Sequence, residues 1–383
     1  MIKKKVYMAF FVTLCILLIV SPLYAIDISV EWDDEVKVAL VLSGGGARGF
    51  AHIPIIAAIE NHNISVDMVV GTSMGALVGG MYAAGYSPKD MYDLIDSLDM
   101  EAIFAVAPAP FQKPILSSFA NYRDNILNLS FDKRGVGRVS GLIGDQKILE
   151  MLNSSLINAS AITNFNHLPI PFRCVGTDLV TGEQVVFSSG SLSQSIRASI
   201  SIPGLFTPAV VDDRLIIDGG LVNNLPIDVA KAMGADIIIA VDVNAVDYTV
   251  AKEELNSLTS ILGQLAVILV KNTVVNQFSE ADILFSPLVK DFDLLDFSYY
   301  KEIMAIGLKN AIEMDDALKE LSEYLCAVRE CNPINPRRVG SYFSLPEIEI
   351  DEELKETSNI PKKSFVLGFY PAYVREQSEY AVA

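Results

Sequence analysis

The run Gly71-Thr72-Ser73-Met74-Gly75 follows the short apolar stretch Met68-Val69-Val70 and leads into Ala76-Leu77-Val78. The pattern is strand, sharp turn and helix, with a serine at the apex. Glycines flank the serine because the backbone bends sharply there and bulkier neighbours would clash. The bend pushes the Ser73 hydroxyl out of the sheet, at the positive N-terminal end of the next helix, where an attacking alkoxide is stabilised. The pentapeptide is short and built from common residues, so its meaning rests on its companions.

One companion lies upstream. Val36 to Leu42 reads as a buried strand and ends at Ser43-Gly44-Gly45-Gly46-Ala47-Arg48-Gly49, after which Phe50 to Ile59 has helical character. Successive glycines after a strand leave backbone N–H groups unobstructed, which suits an anion or an oxyanion. Gly44-x-Gly46-x-x-Gly49 also matches the dinucleotide fingerprint. That fold wants an acidic residue closing its second strand, about 20 residues on. Asp67 opens that strand instead, and the far end is Gly71-Thr72-Ser73, so the nucleotide reading is disfavoured. The other companion is Asp218-Gly219-Gly220, at the end of the strand-like Arg214-Leu215-Ile216-Ile217. Such a tripeptide is ordinarily a turn; its chemistry depends on what else can act as a base.

The histidines decide that. His52 and His62 precede the serine and His167 lies in a loop-like context, Asn166-His167-Leu168-Pro169. The α/β-hydrolase order of serine, acid and histidine cannot be completed with Asp218, because no histidine follows it. Each histidine reads as a surface or packing residue. A carboxylate is then the natural base, with Asp178 and Asp242 as weaker candidates than Asp218; Asp178 to Glu183 looks like a hairpin turn.

Gly44 to Gly49, Gly71 to Gly75 and Asp218 to Gly220, in this order, resemble the patatin-like phospholipase family, in its bacterial, exported form. Ser195 to Phe206 and Leu221-Val222-Asn223-Asn224-Leu225-Pro226 extend the likeness, which covers roughly residues 36 to 312. The resemblance implies an α/β fold, a three-layer α/β/α sandwich with a mainly parallel sheet, and a lipid acyl hydrolase of phospholipase A, lysophospholipase or esterase type. It also implies a Ser–Asp dyad of Ser73 as nucleophile and Asp218 as base. The oxyanion hole would come from Gly44, Gly45, Gly46 and Ala47, with Arg48, Gly49, Gly71, Gly75, Gly219 and Gly220 completing the motifs. No cofactor and no metal are implied. The implied substrate is a phospholipid or another acyl-ester lipid.

The chemistry of such a dyad is straightforward. An exposed aspartate titrates near 3.9, too low to deprotonate a serine well. Burial raises that value, and holding the carboxylate against the hydroxyl supplies proximity. The proton moves as the carbonyl is attacked, the oxyanion rests on the N–H groups of Gly45 and Gly46, joined by Ala47, and an acyl-enzyme forms and is hydrolysed. Arg48 has two readings: it meets a phosphate headgroup, or it pairs locally and braces the loop. The structural role is favoured.

Lys3-Lys4-Lys5, the apolar run Val6 to Val20 and Ser21-Pro22-Leu23-Tyr24-Ala25 read as a secretory signal peptide over residues 1–25, the alternative being an uncleaved signal anchor. Export places the hydrolase in the periplasm, at the outer membrane or outside the cell. In an oxidising compartment Cys326 and Cys331 are close enough to bridge, whereas Cys174 reads as a buried apolar residue. The formal net charge of −18, from 29 basic and 47 acidic residues, argues against nucleic acid and against adsorption to anionic membranes. Transient membrane contact is therefore hydrophobic; Ile103 to Phe111 is apolar and proline-broken, and reads either as a lipid-facing lid or as a buried connection. Asp291-Phe292-Asp293 begins like a calcium loop, but Asp296 stands where the glycine is required.

Strands are expected at 36–43, 66–71, 172–178, 183–188, 214–217, 236–242 and 281–285. Helices are expected at 48–61, 74–85, 88–98, 145–157, 226–233, 257–278 and 300–325. This alternation demands a largely parallel sheet covered on both faces. The hydrolase domain spans 26–331, and 332–383 is an extension, too short at about 50 residues for an outer-membrane barrel. The alternative function is an exported domain that binds lipid or a partner without turnover.

Overall fold

The computed structural model describes residues 36–100, 103, 131–132, 135–136, 145–244 and 277–329. In chain order the elements are β1 (Val38–Leu42), a 3₁₀ turn (Gly46–Ala51), α1 (His52–Asn61), β2 (Met68–Thr72), α2 (Met74–Ala83) and α3 (Pro88–Ser97). The short antiparallel pair β3 (Phe131–Asp132) and β4 (Gly135–Val136) and the helix α4 (Asp145–Ser155) follow. Next come β5 (Phe172–Asp178), β6 (Gln184–Phe187), α5 (Leu192–Ser199), β7 (Ala209–Val211), β8 (Arg214–Asp218) and α6 (Ile227–Ala232). β9 (Ile237–Val241), β10 (Ile283–Phe285), α7 (Tyr300–Glu313) and α8 (Asp315–Val328) complete the described chain.

Every residue of β1 and β2 is buried, as strands covered on both faces must be. Their side chains alternate between two cores. Val38, Leu40 and Leu42 pack with α1, α2 and α7 on one face. Ala39 and Val41 pack with Leu225, Ile227, Val229 and Ala230, around α6, on the other. Helix, sheet and helix make the three layers that the alternating pattern demanded. Helix α1 carries four fully buried isoleucines, Ile53, Ile55, Ile56 and Ile59, each contributing about 1.5–3 kcal/mol of transfer free energy. It is covered by α7, whose Gly307 leaves room for the Ala51 carbonyl; a Cβ there would sit 2.5 Å from that oxygen.

The strands β10, β9, β1, β2 and β5 are mutually parallel. β5 then does something the linear pattern did not announce. Its residues 172–175 pair with β2, 174–177 with β6 and 176–178 with β8. A strand has two edges, and β6 shares paired residues with both β2 and β8, so β2 and β8 occupy the same edge. They meet head to head: Thr72 pairs with Val175, and Asp218 pairs with Gly176, the next residue along. The carboxyl ends of two strands that are 145 residues apart in sequence are brought together on one template.

The expected strands and helices are present within a few residues wherever they are described. Four elements were not expected, β3, β4, α5 and β7; the three strands have only two or three residues each, too short to carry a period. The helix expected over 300–325 is two helices broken at Met314. Most of the helix expected at 257–278 lies outside the described residues. So do the signal segment 1–25, Phe104 to Phe111 of the apolar loop, Cys331, and the extension 332–383.

Candidate active site

Ser73 stands between β2 and α2 with φ 52° and ψ −121°, a left-handed geometry that costs a non-glycine residue about 1–3 kcal/mol. The surroundings hold it there. A Cβ on Gly71 would lie 2.3 Å from the Gly75 carbonyl oxygen, and one on Gly75 would lie 2.3 Å from that of Leu42. Only glycines let the turn close this tightly against β1. The Ser73 N–H donates to Ser199 Oγ at 2.9 Å, and Ser199 Oγ donates in turn to the Val175 carbonyl at 2.6 Å. The Ser73 carbonyl accepts from Ala76 and Leu77 at 2.9 and 3.0 Å, starting α2.

The head-to-head strand ends place the Ser73 hydroxyl against Asp218. Oγ donates to Asp218 Oδ2 at 2.6 Å, and Oδ1 accepts the Gly220 N–H at 2.8 Å. Gly219 is packed so closely under Val175 that a Cβ would sit 2.2 Å from its carbonyl oxygen. Asp218 is buried, and burial pushes its carboxyl up from 3.8 to about 6, against the lowering effect of its bonds from Ser73 and Gly220. Such a carboxylate is basic enough to take a proton from a hydroxyl it already touches, and still ionised at neutral pH.

The glycine loop lies against this pair; a Cβ on Gly44 would meet Ser73 Cβ at 2.9 Å. Its four N–H groups are not equivalent, and the difference removes Gly44 and Ala47 from the expected donors, leaving Gly45 and Gly46. The Gly44 N–H donates to the Asn224 carbonyl at 3.2 Å and that of Ala47 to the Leu294 carbonyl at 2.9 Å. The cause is the tight turn at Gly46, with φ 56°, which folds the loop back on Leu294. Among the described residues, no hydrogen bond engages the N–H of Gly45 or Gly46. Arg48 Nε donates to the Phe292 carbonyl at 2.7 Å, so Arg48 braces the loop from the same segment that holds Ala47. Gly49 fits beneath Met74, where a Cβ would lie 2.2 Å from its Cγ.

None of the three histidines hydrogen-bonds Ser73, whose N–H and hydroxyl go to Ser199 and Asp218. His52 is buried, donating from Nε2 to the Ser43 carbonyl at 3.0 Å, and burial lowers it from 6.5 to about 4. His62 pairs with Asp315 at 2.9 Å, and His167 is exposed. Asp178 Oδ1 accepts from Val180 and Thr181 and so turns the β5–β6 hairpin. Asp242 Oδ1 accepts the Asn244 N–H at 3.1 Å. Asp67 is tied to the Val38 N–H and to Arg329, at the opposite end of β1 and β2 from Ser73. Cys174 is a buried thiol, and Cys326 is disulfide-bonded. Among the described residues, no group of three or more His, Cys, Asp or Glu side chains is placed to hold a metal ion.

A strained serine, a buried carboxylate on its hydroxyl and a glycine loop with free N–H groups, in this strand order, accord with the sequence comparison. The family model described as "Patatin-like phospholipase" matches residues 40–231. The chain belongs to the patatin-like phospholipase family. An uncharacterized NTE family protein of Mycobacterium bovis is 36% identical over 217 residues, covering 57% of this chain and 52% of that protein. The chain thus spans about half the length of that relative. A Neurospora crassa protein named lysophospholipase is 28% identical over 307 residues, covering 74% of this chain and 18% of its own length. Among solved structures, VipD from Legionella pneumophila aligns with a TM-score of 0.40 at 16% identity, over 74% of this chain and 67% of that one.

Four residues of the site escaped the sequence reading. Ser199 and Asn224 lay in segments quoted for the resemblance, but nothing local marks a serine in a helix as the partner of another serine's N–H. Leu294 acts through its carbonyl, which any residue has. Asn244 follows a strand end as asparagines in turns commonly do.

Proposed function

We propose that this chain is a serine lipid acyl hydrolase working through a Ser73–Asp218 dyad and an acyl-enzyme. The observation that carries this reading is the 2.6 Å hydrogen bond from Ser73 Oγ to a buried Asp218 carboxylate. Oγ attacks the ester carbonyl while its proton passes to Asp218 Oδ2. The carbonyl oxygen takes up negative charge against the N–H groups of Gly45 and Gly46. The tetrahedral adduct collapses, the alcohol leaves with the proton from Asp218, and the acyl group stays on Ser73. Water then gives its proton to Asp218, attacks the acyl carbon, and the fatty acid departs as Oγ regains a proton. The substrate is a phospholipid, a lysophospholipid or a smaller acyl ester; the names borne by the relatives favour the lipid.

Contact with a lipid surface is part of the proposal. Val210, Leu215 and Leu179 form one cross-strand row, because Val210 pairs with Leu215 and the Leu179 N–H donates to the Leu215 carbonyl. They are 63%, 41% and 47% exposed, and Val180 at the adjoining hairpin tip is 78% exposed. β8 continues the line of β2 past Ser73, so this apolar row lies beyond the catalytic end of the sheet. Asp212, Asp213 and Glu183 in the two hairpin turns favour a zwitterionic over an anionic surface. Export, resting on residues 1–25, is proposed as the route by which the enzyme reaches its lipid.

The test is covalent labelling with a fluorophosphonate probe, peptide mapping, and fatty-acid release from phosphatidylcholine and lysophosphatidylcholine. Label at Ser73, turnover abolished in Ser73→Ala and Asp218→Asn, and retained in His167→Ala are expected. A folded wild-type protein that neither labels nor turns over would leave the domain as a lipid- or partner-binding module.

A further inference from the structure

We propose that Asn244, assisted by Asn224, is a positioning residue that sets the direction in which the Gly45 N–H points; this rests on the hydrolase reading above. The Gly44 carbonyl and the Gly45 N–H belong to one planar peptide unit, and in a trans unit they point in opposite directions. Whatever holds the carbonyl therefore aims the N–H. The Gly44 carbonyl oxygen accepts from Asn244 Nδ2 and from Asn224 Nδ2, the latter at 3.3 Å. Both asparagines are buried, at 8% and 2% exposure. A Gly–Gly peptide is the easiest kind to flip, since neither residue has a Cβ to oppose the new dihedrals. Flipping here would turn the Gly45 N–H onto two side-chain amide donors and leave the carbonyl in the site, where it would repel an oxyanion. Two buried donors on one acceptor make the observed orientation the favoured one.

The two amides are themselves held. Asp242 Oδ1 accepts the Asn244 backbone N–H at 3.1 Å and its Nδ2 at 3.4 Å. An amide that placed its oxygen there would set acceptor against acceptor, so the nitrogen end of Asn244 is the one turned to Asp242 and to Gly44. Asn224 and Gly44 form a second, reciprocal link, with the Gly44 N–H on the Asn224 carbonyl at 3.2 Å. The anchor reaches β1 as well, since the Val243 N–H donates to Ser43 Oγ at 3.0 Å. Accepting hydrogen bonds at the carbonyl also polarises the peptide and strengthens its N–H as a donor. The end of β9 and the turn after β8 thus converge on a peptide that contains neither of them.

The test compares p-nitrophenyl butyrate with its thionoester, whose sulfur accepts hydrogen bonds weakly and gains little from a well-aimed donor. For Asn244→Ala, kcat on the oxygen ester is expected to fall roughly 10²-fold with KM within about twofold, and the thionoester rate by less than about tenfold. Equal losses on both esters, or no loss on either, in a variant with wild-type circular dichroism would overturn the proposal. If Asn244→Ala does not fold, Asn224→Ala is expected to shift the oxygen-to-thiono ratio in the same direction by a smaller factor, and an unchanged ratio there counts against it equally. Ser73→Ala separates the two levels. Activity lost in Ser73→Ala but intact in Asn244→Ala sinks this inference alone, whereas activity that survives Ser73→Ala sinks the hydrolase reading with it.

Discussion

Replacing Asp218 by asparagine should make the protein inactive and, above neutral pH, more stable. The carboxyl titrates at about 6 in the fold against 3.8 as the ordinary value, mainly because it is buried. Lifting it that far means that ionising it inside the protein costs about 3 kcal/mol more than ionising it in the unfolded chain. The sign follows from proton counting. Between pH 3.8 and about 6 the native state holds the proton more tightly than the unfolded state, so stability falls as pH rises through that window and stays reduced above it. Asparagine keeps the shape and the acceptor for Gly220 and carries no charge, so it escapes the penalty. The wild-type profile alone would hide this, because His52, lowered from 6.5 to about 4 by burial, acts in the opposite sense. Its contribution is lost as pH falls through that range, and the two trends overlap. The difference between Asp218→Asn and wild type cancels His52 and isolates Asp218. Urea unfolding followed by circular dichroism at pH 4, 5, 6, 7 and 8 is expected to give a difference near zero at the acid end, growing to about 3 kcal/mol in favour of the variant at pH 8. A difference independent of pH would refute the buried-base argument.

Three further outcomes follow from the same geometry. The wild-type kcat/KM on a soluble ester should rise with pH through an apparent value of about 6, as Asp218 ionises; a profile rising only above pH 8 would point to another base. Gly75→Ala places a Cβ 2.3 Å from the Leu42 carbonyl oxygen and 2.6 Å from that of Ser43; neither backbone atom can yield, so a loss above about 3 kcal/mol is expected. A thermal midpoint unchanged from wild type would show that the elbow has slack. Val180→Asp with Val210→Asp should weaken adsorption to phosphatidylcholine vesicles roughly 10²-fold, from about 1.5 kcal/mol per lost valine, while hydrolysis of a soluble ester is unchanged. Equal adsorption of variant and wild type in a sedimentation assay would dismiss the apolar row as a lipid contact.

The motifs around Ser73, the glycine loop and Asp218 were readable in the chain because each is a local backbone problem. A serine at a tight bend needs glycines on either side, and an oxyanion loop needs residues without side chains. The apolar strands were readable for a similar reason: Val38 to Leu42 and Met68 to Thr72 are buried on both faces and carry no polar alternation. The absence of a histidine after Asp218 already disfavoured a triad. Missed at that level was the helix break at Met314, although Asp315 and Asp316 stand in the first turn of the second helix, where acidic residues favour a helix start.

What the sequence alone determined, then, is which residue types stand at which bends, since covalent geometry and sterics act between neighbours. Tertiary structure alone decided that β2 and β8 end head to head on β5, which turns two distant motifs into a pair 2.6 Å apart. It also engaged the Gly44 and Ala47 N–H groups, through the carbonyls of Asn224 and Leu294. Hydrogen-bond partners across long chain separations depend on where the fold delivers a carbonyl or an amide, and neither is written in the residues beside them.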